Sequence, residues 1–251
     1  MYTQVVLTVS EGKRLIAKGI ADFEPVQRAR EEGILAIAKG TTNAYVVEEI
    51  LGEEIDKPGY VTGHTVPSSP AKELVSKIGN RLPDVIIRNG EVLKGVSLPD
   101  IVKEMKQGDV ILKGANAINY EDGVAGVLIG HATGGTVGAF MGTVVAKRIR
   151  LITPVGLEKE VPVDLLTAAE AACDVEDVHR SSPALWAFRA ELFTEIEAFG
   201  QLTNVHAMPI AAGGVAGAEG SIRFLLYGEE EDIDEALSVV EEVSGEPPFV
   251  S

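Results

Sequence analysis

Apolar positions in this chain fall in short runs, each followed by a stretch with helical spacing. VVLTVS (Val5–Ser10) is short and β-branched and predicts a strand, with Ser10 capping a helix that turns Leu15, Ile16 and Ile20 inward. A polar helix over residues 25–33 leads into ILAIA (Ile34–Ala38), a near-continuous apolar run of the kind buried parallel strands show. AYVVEEILG then predicts a helix with Val46, Val47, Ile50 and Leu51 on one side and Gly52 at its end. Residues 53–70 predict a loop or short strand. VIIR and EVLKG flank Asn89-Gly90, a two-residue hairpin signal. Residues 97–107 predict a helix with Ser97 as its cap and Pro99 in its first turn.

The second half repeats the pattern. GDVILKGANAI and GVAGVLIG predict strands, AFMGTVVAKR a helix, IRLITPVGLEKEV a strand and VDLLTAAEAA a helix. DVEDVHRSSP is polar and loop-like. ALWAFRAELFTEIEAFGQL (residues 184–202) predicts one long amphipathic helix, VHAMPIAAGG and SIRFLLYG predict strands, and DIDEALSVVEEVSG closes with a helix. This alternation predicts an α/β protein. Residues 1–173 would form a mostly parallel, Rossmann-like sheet from segments near 34–38, 109–113, 125–129 and 150–155, with helices on both faces. Residues 174–251 would form a smaller α+β unit, and its βαβ-like part can serve as a homo-oligomer interface.

Composition narrows the function. The chain has 251 residues, 45% of them apolar, which is enough for a sizeable core. With 22 lysines and arginines against 38 aspartates and glutamates, its net charge is -16, so nucleic acid and anionic membrane are not expected partners. The single cysteine, Cys173, leaves no intramolecular disulfide and no cysteine-rich zinc site, and fits a reducing cytoplasm. The first residues lack a signal-peptide pattern, and no apolar run reaches the length of a membrane span. His64, His131, His179 and His206 sit apart, without metal-ligand spacing, so no metal is expected.

Three glycine-rich stretches follow predicted strands: KGTTN (Lys39–Asn43), KGANAIN (Lys113–Asn119) and GHATGGTVG (Gly130–Gly138). In open parallel sheets ligands bind outside the carboxyl ends of the strands. Helix N-termini and successive backbone amides there favour an anion. Lys39, Gly40, Thr41, Thr42, Asn43, Gly114, Asn116, Thr133, Gly134, Gly135 and Thr136 are therefore candidate ligand-binding residues. Lys113 is a candidate to stabilise developing negative charge, and Glu121, Asp122 or His131 to move a proton. Each stretch also has a plain alternative. KGTTN can be a capped helix start. GHATGGTVG can be a tight strand-to-helix turn, although two adjacent glycines exceed what a cap needs. KGANAINYEDG can be a hairpin with its turn at Asp122-Gly123 and a surface lysine. None of the three ends in GK[ST] or reads GxGxxG, so no nucleotide cofactor is implied.

A strand followed by GTTNAYVVEEI, with a later strand leading into KGANAI, resembles the superfamily that holds ribose-5-phosphate isomerase, glucosamine-6-phosphate deaminase and the CoA transferases. The resemblance covers about Gly33 to Leu166. It implies that Gly40, Thr41, Thr42 and Asn43 hold a substrate phosphate, and that ILKGANAINYEDG faces the same pocket. It also implies either an isomerase-like enzyme acting on a small phosphorylated metabolite or a non-catalytic sensing or regulatory subunit of the same fold. The chain departs from the isomerase signature at Lys113-Gly114-Ala115-Asn116, which places an amide where a second acid is expected, and from Ala184 onward.

Overall fold

The computed structural model describes residues 1–63, 65–66, 82–173 and 183–250. Strands are β1 (Tyr2–Leu7), β2 (Ile34–Ile37), β3 (Val85–Arg88), β4 (Glu91–Val92), β5 (Val110–Leu112) and β6 (Ala117–Asn119). They continue with β7 (Val124–Ile129), β8 (Arg150–Pro154), β9 (Ala184–Arg189), β10 (Glu191–Phe193), β11 (His206–Ala212) and β12 (Ile222–Tyr227). The described α-helices are α1 (Val9–Asp22), α2 (Glu24–Glu32), α3 (Thr41–Leu51), α4 (Leu98–Ile101), α5 (Gly135–Lys147), α6 (Leu165–Cys173), α7 (Glu195–Leu202) and α8 (Glu230–Val243). None of them is long and apolar enough to cross a membrane.

The protein is mixed α/β. Its central sheet has six strands in the order β10-β8-β5-β2-β3-β4. β10, β8, β5 and β2 run parallel, while β3 and β4 are antiparallel additions. Side chains alternate across this sheet. Leu35, Ile37, Val110, Leu112 and Ile152 share a core with Leu15, Ile16 and Ile20 of α1 and Val46, Val47 and Ile50 of α3. Ile34, Ala36, Ile86 and Ile111 pack instead against Leu98 and Ile101 of α4 and Val137, Phe140 and Val144 of α5. Helices thus cover both faces.

Two antiparallel three-stranded sheets flank this core, in the orders β1-β12-β11 and β6-β7-β9. The segment near 125–129, expected among the parallel strands, is β7 of the second of these. Only four residues separate β6 from β7, too few for a parallel crossover, so the two close as a hairpin through the Asp122-Gly123 turn. Residues 184–202 also differ from the single helix expected. β9 takes Trp186 and Phe188 along the edge of β7, β10 extends the central sheet, and only α7 is helical. β7 needs a second partner for its backbone groups, and the aromatic ALWAFR suits that edge. Thr194 then starts α7 through a reciprocal capping box with Glu197. The helix expected over 97–107 shortens to α4, and α1 is capped by Thr8 with Glu11 rather than by Ser10. The expected boundary near residue 174 does not divide these sheets, because β9, β10 and β12 pair with β7, β8 and β1. His64, His179, residues 67–81 and most of DVEDVHRSSP lie outside the described residues.

One charged cluster ties α1 to α3 and to the C-terminal segment. The Arg14 guanidinium donates to Glu48 at 2.6 Å, Glu49 at 3.0 Å and Glu246 at 2.8 Å, and lies 4.9 Å from the centre of the Tyr45 ring. Glu48 and Glu246 are largely buried, and Lys57 is the second cation against both. Removing one partner of a buried ion pair leaves an uncompensated charge. Arg14→Ala is therefore expected to lower unfolding free energy by about 3 kcal/mol, read as an earlier midpoint in urea denaturation. A loss below ~0.5 kcal/mol would show the cluster to behave as a surface pair.

Candidate functional site

The site begins where β2 and β5 end. Ala38 still bonds across to the Leu112 carbonyl at 2.9 Å, and then the two chains part. The Asn43 amide fills the gap, donating to Ala38 O at 2.7 Å and Leu112 O at 3.0 Å. Tyr60 secures the other side, with its hydroxyl on Ile37 O at 2.5 Å and its carbonyl accepting from Gly40 N at 3.0 Å. α3 therefore starts at Thr41 with a glycine in the cap position and no side-chain cap. Among the described residues none accepts from the amides of Thr41, Thr42 and Asn43. Thr42 is 2% exposed, and its hydroxyl finds no hydrogen-bond partner among the described residues.

A cavity of about 320 Å³ opens over this turn, lined by Lys13, Lys39, Lys113 and Lys159 together with Thr41 and Thr42. A second, of about 420 Å³, adjoins it and reaches the start of α5. Both include Lys39, Lys113, Thr62, Gly63, Val127 and Leu128, so they form one basin. The first end is rich in lysine. The second takes Val127, Leu128, Ile129 and Val137 beside His131 and the glycines of α5.

Most of the residues expected from the three loops meet here. Lys39, Gly40, Thr41, Thr42, Lys113, Gly114 and Asn116 line the first cavity. His131, Gly134, Gly135 and Thr136 line the second. Four candidates lie elsewhere. Asn43 is fully buried, and its amide is spent on the strand ends. Glu121 and Asp122 sit exposed in the β6–β7 turn, on the far side of the hairpin from the loop that carries Lys113. Thr133 is exposed, and its hydroxyl lies 3.0 Å from Nδ1 of His131. The glycines of GHATGGTVG answer first to backbone geometry. Gly134 and Gly135 take φ of 82° and 57°, and a Cβ on Gly138 would sit 2.3 Å from the Thr133 carbonyl.

Two of the four lysines escape reading from the sequence. Lys13 comes from the first turns of α1 and Lys159 from the turn after β8, each far along the chain from the loops they join. No local motif marks them. Lys159 donates to Ala115 O at 2.8 Å, and Lys113 to Gly114 O at 2.9 Å. Burial, and then the neighbouring charge of Lys159, lowers the Lys113 ammonium to about 8, against a smaller upward pull from Asp84. Lys159 is likewise lowered, mainly by burial.

Behind the lysines lies a buried acid pair. Lys13 Nζ is 3.2 Å from Glu158 Oε1. Glu195, 3% exposed, accepts from Leu157 N at 2.9 Å. Burial, reinforced by the Glu158 charge, raises the Glu195 carboxyl to about 8, with the Leu157 amide and Lys13 opposing. Glu195 is thus largely neutral near pH 7, so among the described residues Glu158 and Asp84 are the acids that act on the lysines. The basin is positive in a chain of net charge -16, and its chemistry is that of an anion site with amines at hand. No family model matches the chain, and comparison with curated proteins finds no match.

The raised Glu195 carboxyl has a stability consequence. Between the ordinary glutamate value, ~4.3, and about 8 the folded protein keeps a proton that the unfolded chain releases. The contribution of this group to stability therefore falls as pH rises through that window and levels off above it. Glu195→Gln is expected to remove that term. Urea unfolding of both proteins from about pH 5 to about pH 8 should show the variant gaining on the wild type as pH rises. A pH-independent difference would mean that Glu195 is ionised in the fold.

Proposed function

We propose that this protein binds a small phosphorylated metabolite in the basin, with the anionic group against the first turn of α3, Lys13, Lys39 and Lys159. The observation that carries this is the pairing of four lysines with a buried Thr42 hydroxyl that has no partner among the described residues, at a helix start without a side-chain cap. A helix N-terminus with free amides favours an anion, and lysines that line the same cavity add charge. In this view β8, β5 and β2 act as a Rossmann-like core, with the ligand outside their carboxyl ends. The combined basin suits a ligand of small-metabolite size.

An isomerase-like reaction would use the amines that line the basin, since Glu121 and Asp122 lie outside it. The same displacement of the two acids favours a second reading, a sensing or regulatory subunit that holds the metabolite without turning it over. Progress curves with sugar phosphates at saturating concentration separate the two: product supports the enzyme, and binding without product supports the sensor.

The binding test is calorimetry with ribose 5-phosphate and glycerol 3-phosphate against ribose and glycerol. The phosphate esters should bind and the neutral polyols should not. Lys39→Ala is expected to weaken binding by about 1.5–3 kcal/mol, the range for a hydrogen bond to a charged group. Thr42→Val should weaken it by about 0.5–1.5 kcal/mol with little loss of stability, since the hydroxyl has no partner to lose among the described residues. Equal binding of esters and polyols, or unchanged affinity in both variants, would end the proposal.

A further inference from the structure

The lysines of the basin do not occupy equivalent places. Lys13 and Lys159 line only the first cavity, with Thr41 and Thr42. Lys13 is paired with Glu158. Lys113 borders both cavities, where the basin passes from its lysine-rich end to the end walled by Ile129 and Val137. A ligand with its anionic group on the α3 turn must pass Lys113 with its next atoms. Lys39 borders both cavities too, and among the described residues neither it nor Lys113 has an acid within salt-bridge distance; Lys113 differs in that burial and the nearby Lys159 lower its ammonium, while its amine donates to the Gly114 carbonyl. Its neighbour Lys159 is a cation, held in place by Ala115 O. An amine between buried walls and a second ammonium is the arrangement that leaves a lysine nucleophilic.

We infer that the ligand is a phosphorylated aldehyde or ketone, and that the Lys113 amine adds to its carbonyl carbon to form a Schiff base. This rests on the basin being an anion site, and narrows the ligand from phosphate ester to phosphorylated carbonyl compound. The nitrogen lone pair forms the C–N bond while the carbonyl π pair moves to oxygen. A proton passes from nitrogen to that oxygen, giving the carbinolamine. A second proton on the hydroxyl lets it leave as water, and the nitrogen lone pair closes the protonated imine. The Lys159 ammonium, whose charge acts on Lys113, can supply that proton, and Lys159 is then reprotonated by a proton taken up from the buffered solvent, so the step consumes one proton overall. No oxidant or reductant enters. The lowered Lys113 value supplies neutral amine near pH 7, and Lys39, Lys159 and Asp84 are the charged groups that border it.

The test is reductive trapping. The wild-type protein is incubated with glycolaldehyde phosphate and cyanoborohydride, and the modified residue is mapped by peptide mass spectrometry. One stable adduct is expected, on Lys113, and glycerol 3-phosphate, which has no carbonyl, should suppress it by occupying the site. In Lys113→Arg the adduct should be lost while calorimetry still shows glycerol 3-phosphate binding. Adducts spread over exposed lysines, or none on Lys113 while glycerol 3-phosphate binds, would overturn the Schiff base and leave the anion site standing. Absence of binding by either phosphate would overturn both. The wild-type mapping stands without the variant, so a variant that failed to fold would not shield the proposal.

Discussion

The basin depends on how two parallel strands end. Where β2 and β5 diverge, the carbonyls of Ala38 and Leu112 point into the protein and need donors. Asn43, reaching back from the first turn of α3, donates to both, joining the Ala38 amide at the Leu112 carbonyl. Burying such groups unpaired costs more than the bond itself returns. That requirement fixes α3 against the sheet edge and leaves the helix start with glycine in the cap position. The α3 side of the site follows from this anchor: amides without an acceptor among the described residues, the buried Thr42 hydroxyl, and the loop that carries Lys39 over the cavity. Tyr60 completes the clamp from the other side of the loop.

Electrostatics build the second level. A strongly acidic chain would spread negative potential over a cleft, yet this one gathers Lys13, Lys39, Lys113 and Lys159 around one cavity. Burial makes that gathering costly, and the fold meets the cost in two ways. Lys13 is paired with Glu158, and burial lowers Lys113 to about 8, which leaves a minor fraction of neutral amine near pH 7. Burial also holds Glu195 largely neutral, which keeps a second negative charge away from the amines. Desolvation thus disfavours the charged form of both signs: it raises the Glu195 carboxyl and lowers the Lys113 ammonium. The Arg14 cluster, beginning one residue along α1 from Lys13, shows the opposite outcome, since there three carboxylates give the half-buried cation its partners.

Three loops remote in sequence reach the basin by different structural routes. KGTTN and KGANAIN leave adjacent parallel strands of the central sheet, as an open α/β sheet requires. GHATGGTVG leaves β7, a strand of a separate antiparallel sheet, and reaches the basin because α5 packs on the face formed by Ile34, Ala36 and Ile111. Its glycines serve the turn and the close approach to Thr133 before they serve any ligand.

Local pattern determined much of this protein. The apolar runs of β2, β5, β8 and β12, the Asn89-Gly90 turn, and the amphipathic faces of α1, α3 and α8 are legible because period and turn chemistry are properties of neighbouring residues. So is the concentration of glycine and small polar groups at Lys39–Asn43 and Lys113–Asn116. Tertiary structure decided what no window of sequence contains. It made strands of ALWAFR and ELF, since an unpaired edge of β7 and an open side of β8 outweighed their helical spacing. It turned β7 antiparallel, since its hairpin with β6 is too tight to cross over. It assigned Asn43 to the backbone, left Glu121 and Asp122 in solvent, and brought Lys13 and Lys159 from distant turns into one cavity. The physical reason is common to all of these: pairing of backbone groups and the desolvation of charge are settled by whichever segments meet in space, and the chain carries no local mark of that meeting.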